Sequence, residues 1–442
     1  MKKYKESFYN IHLKEEGYLE GSDIPDNLVY NTMSGKFGTL SDIDFDNPPK
    51  HLVYNRFLVN SDLDEVESYS TRQQKLMLED KPKRIELNIL TTLNCSYRCE
   101  YCIEPCDKDT DISNDMIKSY IEYIRNEIDR NENLKTLTIQ WFGGEPLLRM
   151  DVIREISQFV IPYCQKRNIK YNAYIFTNGY LYSKSISEEL REYRVKYVQI
   201  TLDGYEDTYN RFKHPPKDAY ARVFQNIEDS VIPVVVRLHA TRKNTDEIIS
   251  FSKYLSETPW IIEKIKKKTL CIFINRVLEH SNNLKYGFTD TEWLEFRERA
   301  IDTAFSEHIR NSFLHQTFKS HTYSCPFLQS RNVMLCPDGN LYRCDRYFGL
   351  KEHSVGTIKE GVDFDCNANK AFVSSTIDED CKKCKLLPVC GGDYCRYEFI
   401  HNGKKCALVK GEFKQNLKVF TENHLKNKRK QTHGSLLPPK GK

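Results

Sequence analysis

The stretch Asn94–Glu104, NCSYRCEYCIE, puts Cys95, Cys99 and Cys102 within eight residues. That spacing suits a zinc knuckle, a disulfide framework or an iron–sulfur site one ligand short of complete. The rest of the chain separates these readings. Of 442 residues, 39% are hydrophobic and 29% charged, a globular composition. No apolar run reaches the roughly 18 residues that a membrane helix needs. The start, MKKYKESFYNIHLKEEGY, is basic but lacks the apolar segment of a secretory signal. The expectation is a cytoplasmic protein with reduced thiols. Fifteen cysteines in such a protein point to metal or cluster ligation before disulfides.

The net charge of +4 is modest, and the tail Lys426–Lys442 alone carries six basic residues and no acidic one. No broad nucleic-acid footprint is left. The tail reads as a disordered, solvated segment.

Residues 83–318 alternate strand-like and helix-like segments. RIELNIL, LKTLTIQWF, YNAYIFTNG, VKYVQITLDG, VIPVVVRLHA and LCIFINRV read as six strands. Between the first two, SNDMIKSYIEYIRNEI sets Ile117, Tyr120, Ile121, Ile124 and Ile128 at helical spacing, with Ser113 as N-cap. Alternation of this kind implies parallel strands with right-handed crossovers, and six units suit a partial α/β barrel. In such sheets chemistry sits at the C-terminal strand ends. The cysteine triplet follows the first strand. WFGGEPLL ends the second, placing Gly143 and Gly144 where backbone must come close to a ligand, with Glu145 and Pro146 next. Thr177–Gly179 (TNG) ends the third and Thr201–Gly204 (TLDG) the fourth.

A zinc ion in a structural site takes four protein ligands. Three thiolates on one loop leave a position open, and soft sulfur suits iron–sulfur clusters. The order CxxxCxxC, GGEP, TNG and a polar–hydrophobic–DG strand end, over residues 84–277, resembles the radical S-adenosylmethionine (SAM) superfamily. The resemblance implies a partial (β/α)6 radical SAM barrel. In it Cys95, Cys99 and Cys102 hold a 4Fe–4S cluster whose open iron chelates SAM. It further implies that Tyr101 flanks the adenine and that Gly143, Gly144, Glu145 and Pro146 match the segment facing the SAM amino group. Thr177 and Thr201 match positions contacting the ribose or methionine portion. Arg237 on the fifth strand is a candidate for the SAM carboxylate, against the alternative of a surface or core-edge arginine. Cys106 is set aside as a spare thiol, since a fourth thiolate would block chelation. No catalytic base is singled out.

Nine cysteines follow residue 318. Cys325 precedes Gly339 and Cys344, and then come Cys381-x2-Cys384-x5-Cys390-x4-Cys395 and Cys406. This resembles the SPASM domain, the cysteine-rich cluster-binding extension of radical SAM peptide-modifying enzymes, with one residue more than usual before Cys395. The family pattern implies an outer cluster on Cys381, Cys384, Cys390 and Cys406, and an inner one on Cys325, Cys344 and Cys395. Cys336, near a hairpin turn at PDGN, is the candidate fourth inner ligand; without it the inner cluster has an open site. A pair of structural zinc sites is the competing reading. Cys164 and Cys271 read as packed small hydrophobes, and Cys366 has no matching partner.

In residues 1–82, NLVYNTMSGKFGTL reads as a hairpin turning at Ser34–Gly35. DNPPKHLVYNRFLVNSDLDEVESYSTRQQKL reads as a short strand and an acidic-headed helix. This α+β block resembles precursor-recognition modules that bind a leader peptide at a sheet edge; the plainer alternative is a structural cap. The expected organisation is a recognition module at 1–82, the radical SAM core at 83–318, the SPASM region at 319–410, and a C-terminal helix and basic tail at 411–442. The implied function is an enzyme that modifies a ribosomal precursor peptide by a thioether, a carbon–carbon cross-link or epimerisation. It would use SAM and a reductant such as flavodoxin or ferredoxin, without nucleic acid or membrane. A sulfatase-maturing enzyme and a cluster-bearing binding protein are the alternatives.

Overall fold

The computed structural model describes residues 3–20, 24–104, 112–278, 285–303 and 325–434, with side chains up to residue 426 in the last segment. Cys106 and the end of the basic tail lie outside the described residues. The chain divides into two compact units. One comprises the described residues within 1–74 and 376–434, and the other those within 75–303 and 325–375. The cysteine-rich segment 319–410 is thus shared between both.

The larger unit is built on one sheet. Its strands are β1 (Arg84–Leu90), β2 (Thr136–Phe142), β3 (Lys170–Thr177), β4 (Val195–Leu202), β5 (Val234–Ala240), β6 (Leu270–Arg276), β7 (Val333–Leu335) and β8 (Leu341–Tyr342). The order is β6-β5-β4-β3-β2-β1-β7-β8, so the sheet is open, with β6 and β8 at its edges. β1 to β6 are parallel to their neighbours; β7 runs parallel to β1 and β8 antiparallel to β7. A strictly sequential order with right-handed crossovers sends every connecting helix to one face. The period-two burial shows it. Leu137, Ile139 and Trp141 of β2 and Ala173 and Ile175 of β3 are wholly buried, while their alternates are half-buried. The helix Asn114–Asp129 starts where Ser113 accepts from Met116 N, and it buries Ile117, Tyr120, Ile124 and Ile128. Each such side chain contributes about 1.5–3 kcal/mol relative to exposure.

The other sheet face is an inner wall with a different composition. Glu86 accepts from Gln140, and the rings of Tyr174 and Tyr197 stack at 4.4 Å. Arg237 and His239 stand on the same side of β5, two residues apart. The PDGN turn joins β7 to β8, with Gly339 at φ +84° and Cys336 N donating to Asn340 O at 3.2 Å.

The smaller unit has an antiparallel sheet of Asn10–His12, Leu28–Asn31 and Lys36–Thr39, with Gly35 at φ +66° in the expected turn. The short strand expected ahead of the acidic-headed helix is Leu58–Asn60, the helix is Glu65–Leu78, and HLVY lies before them in a separate short helix, Lys50–Tyr54. Pro49 precedes that helix; its φ of −53° is ready for a helix start, where a missing N–H costs nothing. Ile11, Leu13, Leu28 and Tyr30 share one core with Leu386, Val389, Phe413 and Leu417. Gln73 Nε2 donates to Gly391 O at 2.7 Å and Thr32 Oγ1 to Lys385 O at 2.5 Å. The N-terminal block and the C-terminal cysteine segment therefore fold together.

Candidate functional site

The cysteine loop leaves β1 at its C-terminal end and is tied down on two sides. Gly144 N donates to Thr92 O at 3.0 Å and Glu145 N to Asn94 O at 2.8 Å. Arg98 N and Glu100 N donate to Lys213 O and Phe212 O, both at 2.9 Å. A Cβ on Gly143 would overlap Thr92 O, and one on Gly144 would overlap the carbonyls of Leu93 and Asn94. Both glycines therefore abut the backbone leading into the cysteine loop. Gly143 also sits at φ +126°, a region that favours glycine.

Glu145 is fully buried and joins two strand ends. Its Oε1 accepts from Thr177 Oγ1 at 2.7 Å and Leu147 N at 3.0 Å, and its Oε2 from Asn178 N at 2.8 Å. Burial pushes its carboxyl up to about 6, against those hydrogen bonds. Pro146 opens the short turn Pro146–Arg149, and its carbonyl accepts from Thr91 Oγ1 at 3.2 Å. Asn178 reaches the loop itself, with Nδ2 at 3.4 Å from Ser96 Oγ and 3.9 Å from Cys95 Sγ.

On the other side of the loop, Tyr101 donates to Asp203 Oδ2 and lies 3.3 Å from His239 Nδ1. Lys213 Nζ donates to Thr201 Oγ1 at 2.7 Å and stands 3.8 Å from Asp203 Oδ1, with both partners buried. Burial raises the Asp203 carboxyl and holds His239 well below the usual imidazole range, so His239 is neutral. Asn244 Nδ2 fixes the corner by donating to Asp203 O at 2.8 Å and His239 O at 3.0 Å. Arg237 faces the inner wall, and its buried Nε has no hydrogen-bond partner among the described residues. Burial lowers its guanidinium from the usual range.

Tyr101, Gly143, Gly144, Glu145, Pro146, Thr177, Thr201 and Arg237 all lie at or near the C-terminal strand ends around the loop. Sequence reasoning missed Asn178, Asp203, Lys213, His239 and Asn244. Asn178 and Asp203 stood inside TNG and TLDG, and His239 shares a strand face with Arg237. Lys213 carried no signal, since its closeness is set by the helix Glu206–Lys213 folding back on the loop.

Burial raises the Cys95 thiol and pushes Cys99 up to about 12, so neither is a free thiolate at neutral pH. Cys102 is exposed. No three His, Cys, Asp or Glu side chains among the described residues are grouped to hold a single ion. Three thiols spread along one loop suit a polynuclear group, in which each iron takes one thiolate.

Of the second cysteine field, Cys325, Cys336 and Cys344 belong to the larger unit, and Cys381, Cys384, Cys390, Cys395 and Cys406 to the smaller. Cys336 is fully buried at the β7–β8 turn, and burial raises its thiol. Cys344 Sγ lies 3.5 Å from Asp345 Oδ1. Cys384 N donates to Cys381 O at 3.0 Å, and Cys390 Sγ accepts from Gly392 N at 3.4 Å. Cys164 is wholly buried beneath the sheet, whereas Cys271, expected as a packed residue, is exposed at the start of the edge strand β6. Cys366 Sγ accepts from Asn369 N at 3.4 Å, ahead of the short helix Asn367–Val373.

Comparison with known proteins places this geometry. Residues 89–253 match the model of the radical SAM superfamily. The radical SAM cyclopropyl synthase TigE of Paramaledivibacter caminithermalis is 25% identical over 255 residues, 52% of each chain. The chain spans about half the length of the curated relatives it matches first. Among solved structures, native anSMEcpe with bound AdoMet superposes with a TM-score of 0.61 at 18% identity, over 78% of this chain and 99% of that one. Streptococcus suis SuiB bound to precursor peptide SuiA gives 0.52 at 15%, over 83% and 82%. No helix among the described residues is long and apolar enough to cross a membrane. The segment that carries the three-cysteine loop and the strand ends around it, residues 89–253, is thus the part of the chain that matches the radical SAM superfamily.

Proposed function

We propose that this protein is a radical SAM enzyme that modifies a ribosomally made precursor peptide. The observation that carries the reading is the loop of Cys95, Cys99 and Cys102, locked by Glu145, Gly144 and Lys213 onto the strand ends where such sheets hold their chemistry. These three thiols would hold a 4Fe–4S cluster, with SAM beside them. When bound, that pair supplies a 5′-deoxyadenosyl radical able to abstract a substrate hydrogen.

The chain's own residues do the rest. Gly143 and Gly144 let the loop lie flat, and Glu145 holds the second and third strand ends in register. Tyr101 and Asp203 set one wall, with Thr201 and Lys213 behind it. Arg237 Nε, without a hydrogen-bond partner among the described residues, offers a donor to a carboxylate or carbonyl; the SAM carboxylate is the occupant we assign. The half-buried inner face carries Gln140, Tyr174, Tyr197 and His239, and we assign the substrate segment to that side of the sheet.

Three observations support a peptide substrate: the nine-cysteine C-terminal field, the fold shared with a protein solved on its precursor peptide, and the edge strand Lys36–Thr39. That strand is at an edge of its sheet among the described residues, the position that strand addition uses. Cys381, Cys384, Cys390 and Cys406, all in the smaller unit, are assigned to an outer auxiliary cluster. An electron from a low-potential donor such as flavodoxin or ferredoxin starts the reaction, in the cytoplasm.

The test is anaerobic incubation with SAM, reductant and candidate precursor peptides, read by peptide mass. Loss of two hydrogens marks a cross-link, and deuterium uptake from D2O marks epimerisation. Conversion of a sulfatase Cys or Ser peptide to formylglycine instead would replace this reading.

A further inference from the structure

Cys381 has a neighbour that no cluster-ligand pattern requires. Lys404 Nζ lies 2.9 Å from Cys381 Sγ and 2.5 Å from Asp378 Oδ2. Asp378 Oδ1 in turn accepts from Cys381 N at 2.9 Å, so aspartate, lysine and thiol close a small ring. The lysine stands two residues before Cys406, the last of the outer set, and its side chain is only 21% exposed. Of the four outer sulfurs, Cys381 alone takes a hydrogen bond from a charged side chain among the described residues; Cys390 receives a neutral amide from Gly392. Two other lysines nearby point elsewhere. Lys382 pairs with Glu379 at 2.7 Å and Lys385 with Glu16 at 2.7 Å.

A cluster gains one negative charge on one-electron reduction. A fixed ammonium donating to a ligand sulfur stabilises the reduced form more than the oxidised one, and hydrogen bonds to sulfur are among the determinants of cluster potential. We propose that Lys404 is a positioning residue that raises the reduction potential of the outer cluster through a charge-assisted N–H···S bond to Cys381. The proposal rests on the reading that Cys381, Cys384, Cys390 and Cys406 hold that cluster. The electron comes from the same external low-potential donor.

The test is an anaerobic redox titration of the reconstituted full chain, followed by electron paramagnetic resonance. The signal lost in Cys381→Ser identifies the outer cluster. Lys404→Met should then lower its midpoint so that the reduced-to-oxidised ratio falls about tenfold at the wild-type midpoint, or about 59 mV for a one-electron couple. Lys404→Arg should restore most of the shift. Lys382→Met removes an equal charge beside Cys381 without touching the sulfur and should move the midpoint far less. Equal midpoints in wild type and Lys404→Met, or an equal shift in Lys382→Met, would overturn the proposal. So would loss of the cluster in both Lys404→Met and Lys404→Arg, which would make the lysine a structural prop. A Cys381→Ser variant that loses no signal would instead overturn the cluster reading beneath it.

Discussion

Thr177 Oγ1 donates to Glu145 Oε1 at 2.7 Å, and this bond joins the glycine-rich end of the second core strand to the TNG end of the third. The same carboxylate takes Asn178 N, whose side chain approaches Cys95. One buried acid thus couples two strand ends to the cysteine loop.

That acid makes stability depend on pH. Its carboxyl is raised from 4.5 to about 6 in the fold, so between those values the folded state holds the proton more tightly than the unfolded one. Stability should fall by about 2 kcal/mol as pH rises from 4.5 to 6 and level off above. Glu145→Gln should abolish that part of the slope. Denaturant unfolding of both proteins across this range checks it; parallel profiles would contradict it.

Asp203 and Lys213 face each other in a buried site at 3.8 Å. Removing one leaves the other without its countercharge, at a cost of about 3–5 kcal/mol. Asp203→Ala and Lys213→Met should each destabilise strongly, and the double variant by clearly less than their sum. Additive losses in a double-mutant cycle would show that the pair does not interact.

Gly144 has no room for a methyl group against Leu93 and Asn94 carbonyls. Gly144→Ala should displace the cysteine loop, costing about 1–3 kcal/mol and weakening iron retention at that loop. Iron analysis after anaerobic reconstitution reads the second effect. Full retention would mean that the glycine is not there to seat the loop.

Phe413 is wholly buried where N-terminal strands meet the C-terminal helix. Phe413→Ala should cost about 3–5 kcal/mol. Deleting residues 1–74 should impair folding of 376–434 as well as any peptide binding. A truncated protein that keeps the outer cysteines' iron at the wild-type level would contradict the shared core.

The six core strands were legible because period-two alternation is strong where one face packs on helices: Leu137, Ile139 and Trp141 are all buried. The strand-end motifs were legible because they are contiguous. Lys213 and the contact of Lys404 with Cys381 were not, because tertiary folding alone brings them close. The short helix Lys50–Tyr54 went unread too, since five residues are too few for a helical period to show. The core linking residues 1–74 to 376–434 was also hidden, since no short-range pattern records which distant apolar faces meet.

The most direct measurement is anaerobic reconstitution, with iron and sulfide counted and 5′-deoxyadenosine assayed after SAM and reductant are added, beside Cys99→Ala. About twelve irons match three cubanes. 5′-Deoxyadenosine is expected from the wild type and none from the variant. Zinc in place of iron with no cleavage, or equal cleavage by Cys99→Ala, would contradict it.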